Sequence, residues 1–346
     1  MTLVEFQDRI RACAAGGKAI RLRGGGTKDF YGNALRGEVL DTRGYAGIVS
    51  YEPTELVVTA RCGTSLSELE KILTANGQML PFEPPHFGEQ ATIGGCVAAG
   101  LSGPRRAAAG ALRDFVLGAK LIDGRGEALS FGGQVMKNVA GYDVSRLLAG
   151  SLGTLGVIAE VSLKLAPRPQ AEATLRLEAW QTRALELMNR WAGQPLPVTA
   201  TMWHEGKLAV RLSGSEVGVR AAAAKIGGEP VDTSIWTAIR EHADVFFSGA
   251  KPLWRLSVPS TTPPLELEGE SLIEWGGGLR WLRSSEAAQT LRARLKGGHA
   301  TLFRGADKSA GCFAPLEPVL ARVHRELKAA FDPAGIFSPG RLYPEF

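Results

Sequence analysis

The chain is 346 residues long, 45% apolar and 22% charged, which is the balance of an ordinary globular protein with room for two domains and excludes a disordered chain. Its formal net charge of +5 comes from Lys and Arg scattered among acids; no basic run interleaves with aromatics, which speaks against nucleic acid and suits an anionic ligand or an acidic partner. The four cysteines, Cys13, Cys62, Cys96 and Cys312, lie far apart without CxxC spacing, so no metal site and no iron–sulfur cluster is expected. The first residues show no basic segment followed by an apolar one, and no apolar run reaches membrane-spanning length. The expectation is a cytoplasmic chain with reduced thiols and no direct membrane span.

Residues 3–10 have helical spacing, and residues 19–23 alternate like a strand that runs into Arg23-Gly24-Gly25-Gly26-Thr27. Residues 38–42, 47–51 and 56–60 are three further β-type runs. Ser65 and Glu68 form a capping-box signature for a helix through residue 75, which Gly77 stops. Residues 91–103 read as a loop of glycine and small residues whose backbone amides are uncovered and can approach a ligand closely. Residues 115–122 and 128–131 flank Asp123-Gly124-Arg125-Gly126, a hairpin signal. A third glycine loop, Gly150-Ser151-Leu152-Gly153-Thr154-Leu155-Gly156, precedes an alternating strand over 157–165, and Pro167-Arg168-Pro169 marks a domain boundary. Beyond it come strand-like runs at 173–177, 208–212, 254–258 and 299–303, a helix over 182–191 and a final helix over 315–331.

The 43 glycines concentrate before residue 160, as expected of loops built around a ligand. The first loop can curl its amides toward one anion, with the Thr27 hydroxyl as a further donor; the bland alternative is a plain turn. It does not fit GxxxxGK[ST], and no GxGxxG follows the first strand, so Walker-type and Rossmann sites are disfavoured. In residues 91–103, Thr92 and the amides of Gly94 and Gly95 suit a pyrophosphate or a ring edge; the alternative is close packing of backbone on backbone. Cys96 reads as a small packed residue, because no neighbouring cation is evident to lower its pKa.

These loops, with Pro81-Phe82-Glu83-Pro84-Pro85, Gly100-Leu101-Ser102-Gly103-Pro104, Arg113-Asp114 and Met136-Lys137-Asn138-Val139-Ala140-Gly141-Tyr142-Asp143, resemble the FAD-binding domain of the vanillyl-alcohol oxidase/PCMH flavoprotein superfamily. Their order and spacing, and the ending Phe331-Asp332-Pro333 to Pro339-Gly340-Arg341-Leu342, are similar to the family of FAD-binding E subunits of glycolate oxidase (glycolate dehydrogenase). The resemblance is dense over residues 18–167 and at the end of the chain, and thin between. It implies an α+β fold: a PCMH-type FAD-binding domain of two α+β lobes over residues 1–168, a smaller α+β cap domain with a mainly antiparallel sheet over 169–325, and a C-terminal segment, 326–346, returning to the FAD domain. It further implies Arg23, Gly24, Gly25, Gly26 and Thr27 on the pyrophosphate, and Pro81, Thr92, Gly94 and Gly95 along the cofactor. Gly100, Ser102 and Gly103 would lie near the flavin ring or ribityl chain, and Gly153, Thr154, Gly156 and Ile158 on the adenine side. Relatives with covalent flavin use a His just after the first glycine loop; Thr27-Lys28 stands there, so non-covalent FAD is expected.

Oxidising a 2-hydroxy acid needs a cation for the carboxylate, a base for the hydroxyl proton, and the Cα–H aimed at flavin N5. His204, Arg255, His299 and Arg341 are the candidates in the second half; they form no recognisable cluster, and Arg255 is taken as the catalytic cation. The catalytic D-type relatives carry a His- and Glu-rich, metal-associated site in the cap, whereas the five histidines here, His86 included, stand isolated and read as structural. The resemblance therefore implies an FAD-binding subunit of a complex that oxidises glycolate, a small 2-hydroxy acid, to glyoxylate. It would pair with a catalytic flavoprotein subunit and an iron–sulfur subunit, in the cytoplasm or peripheral to the inner membrane through them. The alternatives are a self-sufficient FAD-dependent D-lactate or 2-hydroxy-acid dehydrogenase and a non-catalytic flavin-binding assembly subunit.

Overall fold

The computed structural model describes residues 1–133 and 143–346; Met136 to Tyr142 of the motif quoted above lie outside the described residues. The chain begins with helix Leu3–Ala15, opened by a capping box in which the Thr2 hydroxyl accepts from the Glu5 amide at 3.3 Å and the Glu5 carboxylate from the Thr2 amide at 2.6 Å. Strand Ile20–Arg23 pairs in parallel with Glu38–Asp41, and Ile20 also bridges to Phe337 near the other end of the chain. A five-stranded antiparallel sheet follows in the spatial order Ile48–Glu52, Val57–Arg61, Val157–Lys164, Val116–Ile122, Ala128–Gly132.

Strand Val157–Lys164 lies at the middle of this sheet and is buried on both faces. Ile158, Val161 and Leu163 pack with Leu66, Leu69, Ile93 and Val97 of two helices on one side. Val157 and Ala159 pack with Phe6, Ile10, Leu40 and Phe337 on the other. The hairpin between Val116–Ile122 and Ala128–Gly132 turns on Asp123, whose carboxylate accepts from the amides of Arg125 and Glu127 at 2.9 Å. Helix Leu66–Ala75 is capped by Ser65, which accepts from the Glu68 amide, and ends before Gly77 at φ +67°.

Residues 171–304 build an eight-stranded sheet, antiparallel throughout, in the order Glu229–Val231, Ala171–Glu178, Lys207–Gly214, Val198–His204, Glu270–Glu274, Leu279–Arg283, Leu253–Ser257, His299–Arg304. Helices Gln181–Ala192 and Glu216–Ile226 cover one face through Leu185, Met188, Val219 and Ala222. From the other face Leu272, Trp281 and Phe303 pack against Tyr31, Ala99 and Leu101 of the N-terminal half. A charged network crosses the same seam. Arg105 pairs with Glu83 at 3.1 Å and Glu172 at 2.7 Å, and Arg211 reaches Glu83 at 2.9 Å. Burial alone would raise the Glu83 carboxyl, but Arg211 and Arg105 hold it below the usual range.

The last helix spans Pro318–Phe331, beginning at Pro318 rather than at residue 315 because the proline occupies the first turn, where its missing N–H costs nothing. Its end returns to the N-terminal half. The buried Lys328 ammonium donates to the carbonyls of Thr154 at 2.8 Å and Phe337 at 2.7 Å and pairs with Asp332 at 2.6 Å. Among the described residues no helix is long and apolar enough to cross a membrane.

Candidate functional site

A cleft of about 840 Å³ opens where the first glycine loop, helix Ile93–Ala99, the third glycine loop and the C-terminal segment meet. Arg23, Gly24, Gly25, Gly26 and Thr27 form one wall, Thr92, Gly94, Gly95, Ala98 and Ala99 another, and Gly153, Gly156 and Ile158 a third. Ser338 and Arg341 close it. The amides of Gly24, Gly25, Gly26 and Thr27 donate to no acceptor of the chain among the described residues, so four successive N–H groups stand ready for a ligand.

Electrostatics give the cleft a sign. Arg23, Lys28 and Arg341 line it against a single carboxylate, Asp29, which Arg23 pairs at 2.9 Å. Burial depresses the Lys28 ammonium, whose Nζ donates to the His86 carbonyl at 3.1 Å. Arg341 is buried and donates to the carbonyls of Asp29, Tyr31 and Asn33. It thus braces the first wall from the far end of the chain and is no part of a substrate cluster.

Several expectations are corrected. Residues 93–99 are helical, not an open loop, and their amides are committed: Ile93 donates to the Thr64 carbonyl at 2.9 Å, Gly94 to the Cys62 carbonyl at 2.8 Å and Gly95 to the Thr92 hydroxyl at 3.3 Å. The close-packing alternative therefore holds for Gly94, where an added Cβ would lie 2.6 Å from that of Cys62. Pro81, Gly100 and Thr154 do not line the cleft. Pro81 is buried; Gly100 ends the helix at φ +64°, with Gly150 backbone 2.7 Å from its would-be Cβ; and the Thr154 hydroxyl is turned onto the Ser151 carbonyl at 2.8 Å. No histidine lines the cleft, and the Cys62 thiol that does is pushed up to about 12 by burial. Burial likewise pushes Cys96 to about 12.

Ser102, Gly103 and Arg255 gather instead at a second, smaller cavity under the eight-stranded sheet. Its other walls include Phe87, His242, Glu274, Trp275, Trp281 and Phe303. Residues 98–104 connect the two spaces, because Ala98 and Ala99 line the cleft and Leu101 to Pro104 the cavity. His242 is stacked on Phe247 at 3.8 Å, and burial with Arg304, Arg283 and Arg255 around it holds its pKa well below 6.5, so it is neutral at pH 7. Glu274 is 4% exposed, and burial raises its carboxyl to about 7 against the pull of Trp281 and Arg255. The sequence reading missed Lys28, Glu274 and His242. Only Glu274 had a visible flag, its place before Trp275-Gly276-Gly277-Gly278.

The remaining cation candidates lie elsewhere. His299 is exposed on the sheet's edge strand. His204 is not isolated: its Nε2 meets Glu270 at 3.0 Å, and with Glu205 the three ligand atoms lie within 4.8 Å of one another where strands Val198–His204 and Glu270–Glu274 pair. His86 is hydrogen-bonded to Glu70 at 3.0 Å.

A family model described as an FAD binding domain matches residues 2–132. The chain is 50% identical over 326 residues, 94% of its length and 92% of the relative's, to the glycolate oxidase subunit GlcE of Escherichia coli (strain K12). It is 33% identical over 128 residues to the glycolate oxidase subunit GlcD of Bacillus subtilis (strain 168), covering 37% of this chain and 27% of that one. A D-lactate dehydrogenase of Archaeoglobus fulgidus is 34% identical over 155 residues, 42% of this chain and 33% of the relative. Among solved structures, an alkyldihydroxyacetonephosphate synthase superposes with a TM-score of 0.68 at 16% identity over 97% of this chain and 75% of that one, a likeness of fold.

Proposed function

Because the chain belongs to the family of the glycolate oxidase subunit GlcE and carries an FAD-binding domain, we propose that it is the FAD-binding subunit of a glycolate-oxidising complex, holding its cofactor without a covalent bond. The observation that carries the reading is the cleft with four unengaged amides and three cations on its walls, the donor set an elongated pyrophosphate-bearing cofactor requires. Arg23, Gly24, Gly25, Gly26 and Thr27 would take the pyrophosphate, Thr92 and Gly95 the middle, and Gly153, Gly156 and Ile158 the adenine end. When bound, FAD supplies the acceptor for the electron pair released as a 2-hydroxy acid such as glycolate becomes a 2-oxo acid such as glyoxylate. Arg255 is the residue of this chain offered to the substrate carboxylate.

Electrons leave through partners, on this reading a catalytic flavoprotein subunit and an iron–sulfur subunit. One feature supports partners: Val319, Leu320 and Val323 stand 48–65% exposed along one stripe of helix Pro318–Phe331. Attachment to a membrane would then run through those partners. The second reading, a self-sufficient 2-hydroxy-acid dehydrogenase, is favoured by the charged cavity around Arg255 and Glu274.

The purified full chain should be yellow, and acid precipitation should release FAD into the supernatant. A colourless protein that takes up no added FAD would overturn the reading, and flavin left in the pellet would overturn its non-covalent part.

A further inference from the structure

We propose that the cavity beneath the eight-stranded sheet is a site for a small 2-hydroxy carboxylate, with Arg255 receiving the carboxylate and Glu274 the hydroxyl; this rests on the function proposed above. Arg255 lies opposite Trp281 in the sheet, and Trp281 opposite Leu272 on its other side. Glu274, two residues past Leu272, therefore shares one sheet face with Arg255, Trp281 and Leu272. Arg255 is half-buried with its guanidinium 5.3 Å from the Trp275 ring centroid, and it pairs with no carboxylate among the described residues. A cation withdrawn from water without a counter-charge is costly, and a ligand carboxylate would offset that cost.

Glu274 has the complementary character. The Trp281 indole donates to its Oε1 at 2.7 Å and fixes the carboxyl plane, while no cation lies within ion-pair distance among the described residues. The other charged and titratable groups around it are few. Arg240 on the cavity wall is engaged by Glu241 at 2.8 Å, His242 is neutral, Arg106 lies 4.5 Å from the Trp275 ring centroid, and Glu83 acts from the seam. The cavity is walled largely by the rings of Phe87, His242, Trp275, Trp281 and Phe303, which keep bulk water away from Arg255 and Glu274. The backbone adds an independent sign. Of the eight non-glycine residues with φ in the left-handed region among those described, Phe87 at 54°, His242 at 55° and Trp275 at 54° all line this cavity, and such strain gathers where a site must be held in shape.

Oxidation of a hydroxy acid frees the hydroxyl proton, and a buried carboxyl that titrates near neutral pH is suited to hold it at a carboxylate oxygen. Oxalate is the probe, because its second carboxylate stands where the substrate has its hydroxyl and can be accepted only while Glu274 carries a proton. Calorimetry on the full-length chain, with and without FAD, should show an oxalate Kd that is flat below pH 7 and rises about tenfold per pH unit above it. E274Q keeps an acceptor for Trp281 and should bind oxalate with a flat profile from about pH 6 to 9; R255M should weaken binding at least about tenfold at every pH. An absence of binding, a flat profile in the unaltered chain, or unaltered affinity in R255M would overturn the proposal. A chain that shows this pattern but retains no FAD would sink the cofactor reading alone; one that retains FAD but fails the pattern would sink the cavity assignment alone.

Discussion

Gly25 answers to two neighbours at once. It lines the cleft, and a Cβ built on it would stand 1.6 Å from the Gln90 carbonyl oxygen, just as one on Gly24 would stand 2.2 Å from the Thr92 hydroxyl. The glycines of the first loop therefore let it lie directly on the segment leading into helix Ile93–Ala99, and a larger residue would separate the two walls before any ligand arrived. Lys28 separates the two roles, because it brings charge to the cleft at a cost in burial that its hydrogen bond to the His86 carbonyl offsets only in part. Lys28→Met should raise the FAD Kd about tenfold, the scale of one charge-assisted hydrogen bond, without lowering the Tm of the FAD-free chain. Gly25→Ala should lower that Tm as well as lose FAD. Flavin titration alongside thermal melts checks both, and an unaltered FAD affinity in Lys28→Met would remove this ammonium from the set of cofactor contacts.

At the scale of elements, the N-terminal strands were readable, while strands Val198–His204, Glu270–Glu274 and Leu279–Arg283 and helices Ile93–Ala99 and Glu216–Ile226 were not. Strand Ala171–Glu178 announces itself by apolar and polar residues in alternation, and the hairpin pair by Asp-Gly turn chemistry. Helix Ile93–Ala99 contains Gly94 and Gly95, poor helix formers; it exists because Thr92 caps it and because Ile93, Cys96, Val97 and Ala99 are buried, which is tertiary information absent from a local pattern. The C-terminal helix shows the same dependence. Lys328 has three oxygen partners, and removing its charge would leave the Asp332 carboxylate, whose side chain is 0% exposed, without a cation. Lys328→Met should cost about 3–5 kcal/mol in denaturant unfolding, while Lys328→Met combined with Asp332→Asn should cost less than the single change. Additive losses would show that the pair is not coupled.

On the scale of the whole molecule, the glycine loops marked the cleft and Arg23 in advance, but the place of Arg341 beside them was hidden because it comes from the far end of the sequence. Glu274 was hidden for a different reason: a carboxyl's burial, and so its proton affinity near pH 7, is decided by its neighbours in the eight-stranded sheet and by the distant loop that carries Leu101. Electron delivery also belongs to this scale. If electrons leave through partner subunits, as proposed above, steady glycolate oxidation by the isolated chain should run at least about tenfold slower than in its complex. Equal rates, measured as glyoxylate formed per FAD, would favour the self-sufficient dehydrogenase.

The closure of the cleft by Ser338 and Arg341 bears on how the protein is made. Residues 22–29 emerge early in translation, yet Ser338 and Arg341, which close their cleft, lie more than three hundred positions further on. Strand Val157–Lys164 also packs against Phe337, so a ribosome-bound chain that already carries its glycine loops still lacks part of the sheet's packing and of the cofactor's enclosure. Ile20 and Arg341 tie these distant segments together before any ligand arrives, and a bound cofactor adds to that tie. A cell starved of flavin would therefore be expected to lose this protein to proteolysis more readily than one that supplies it.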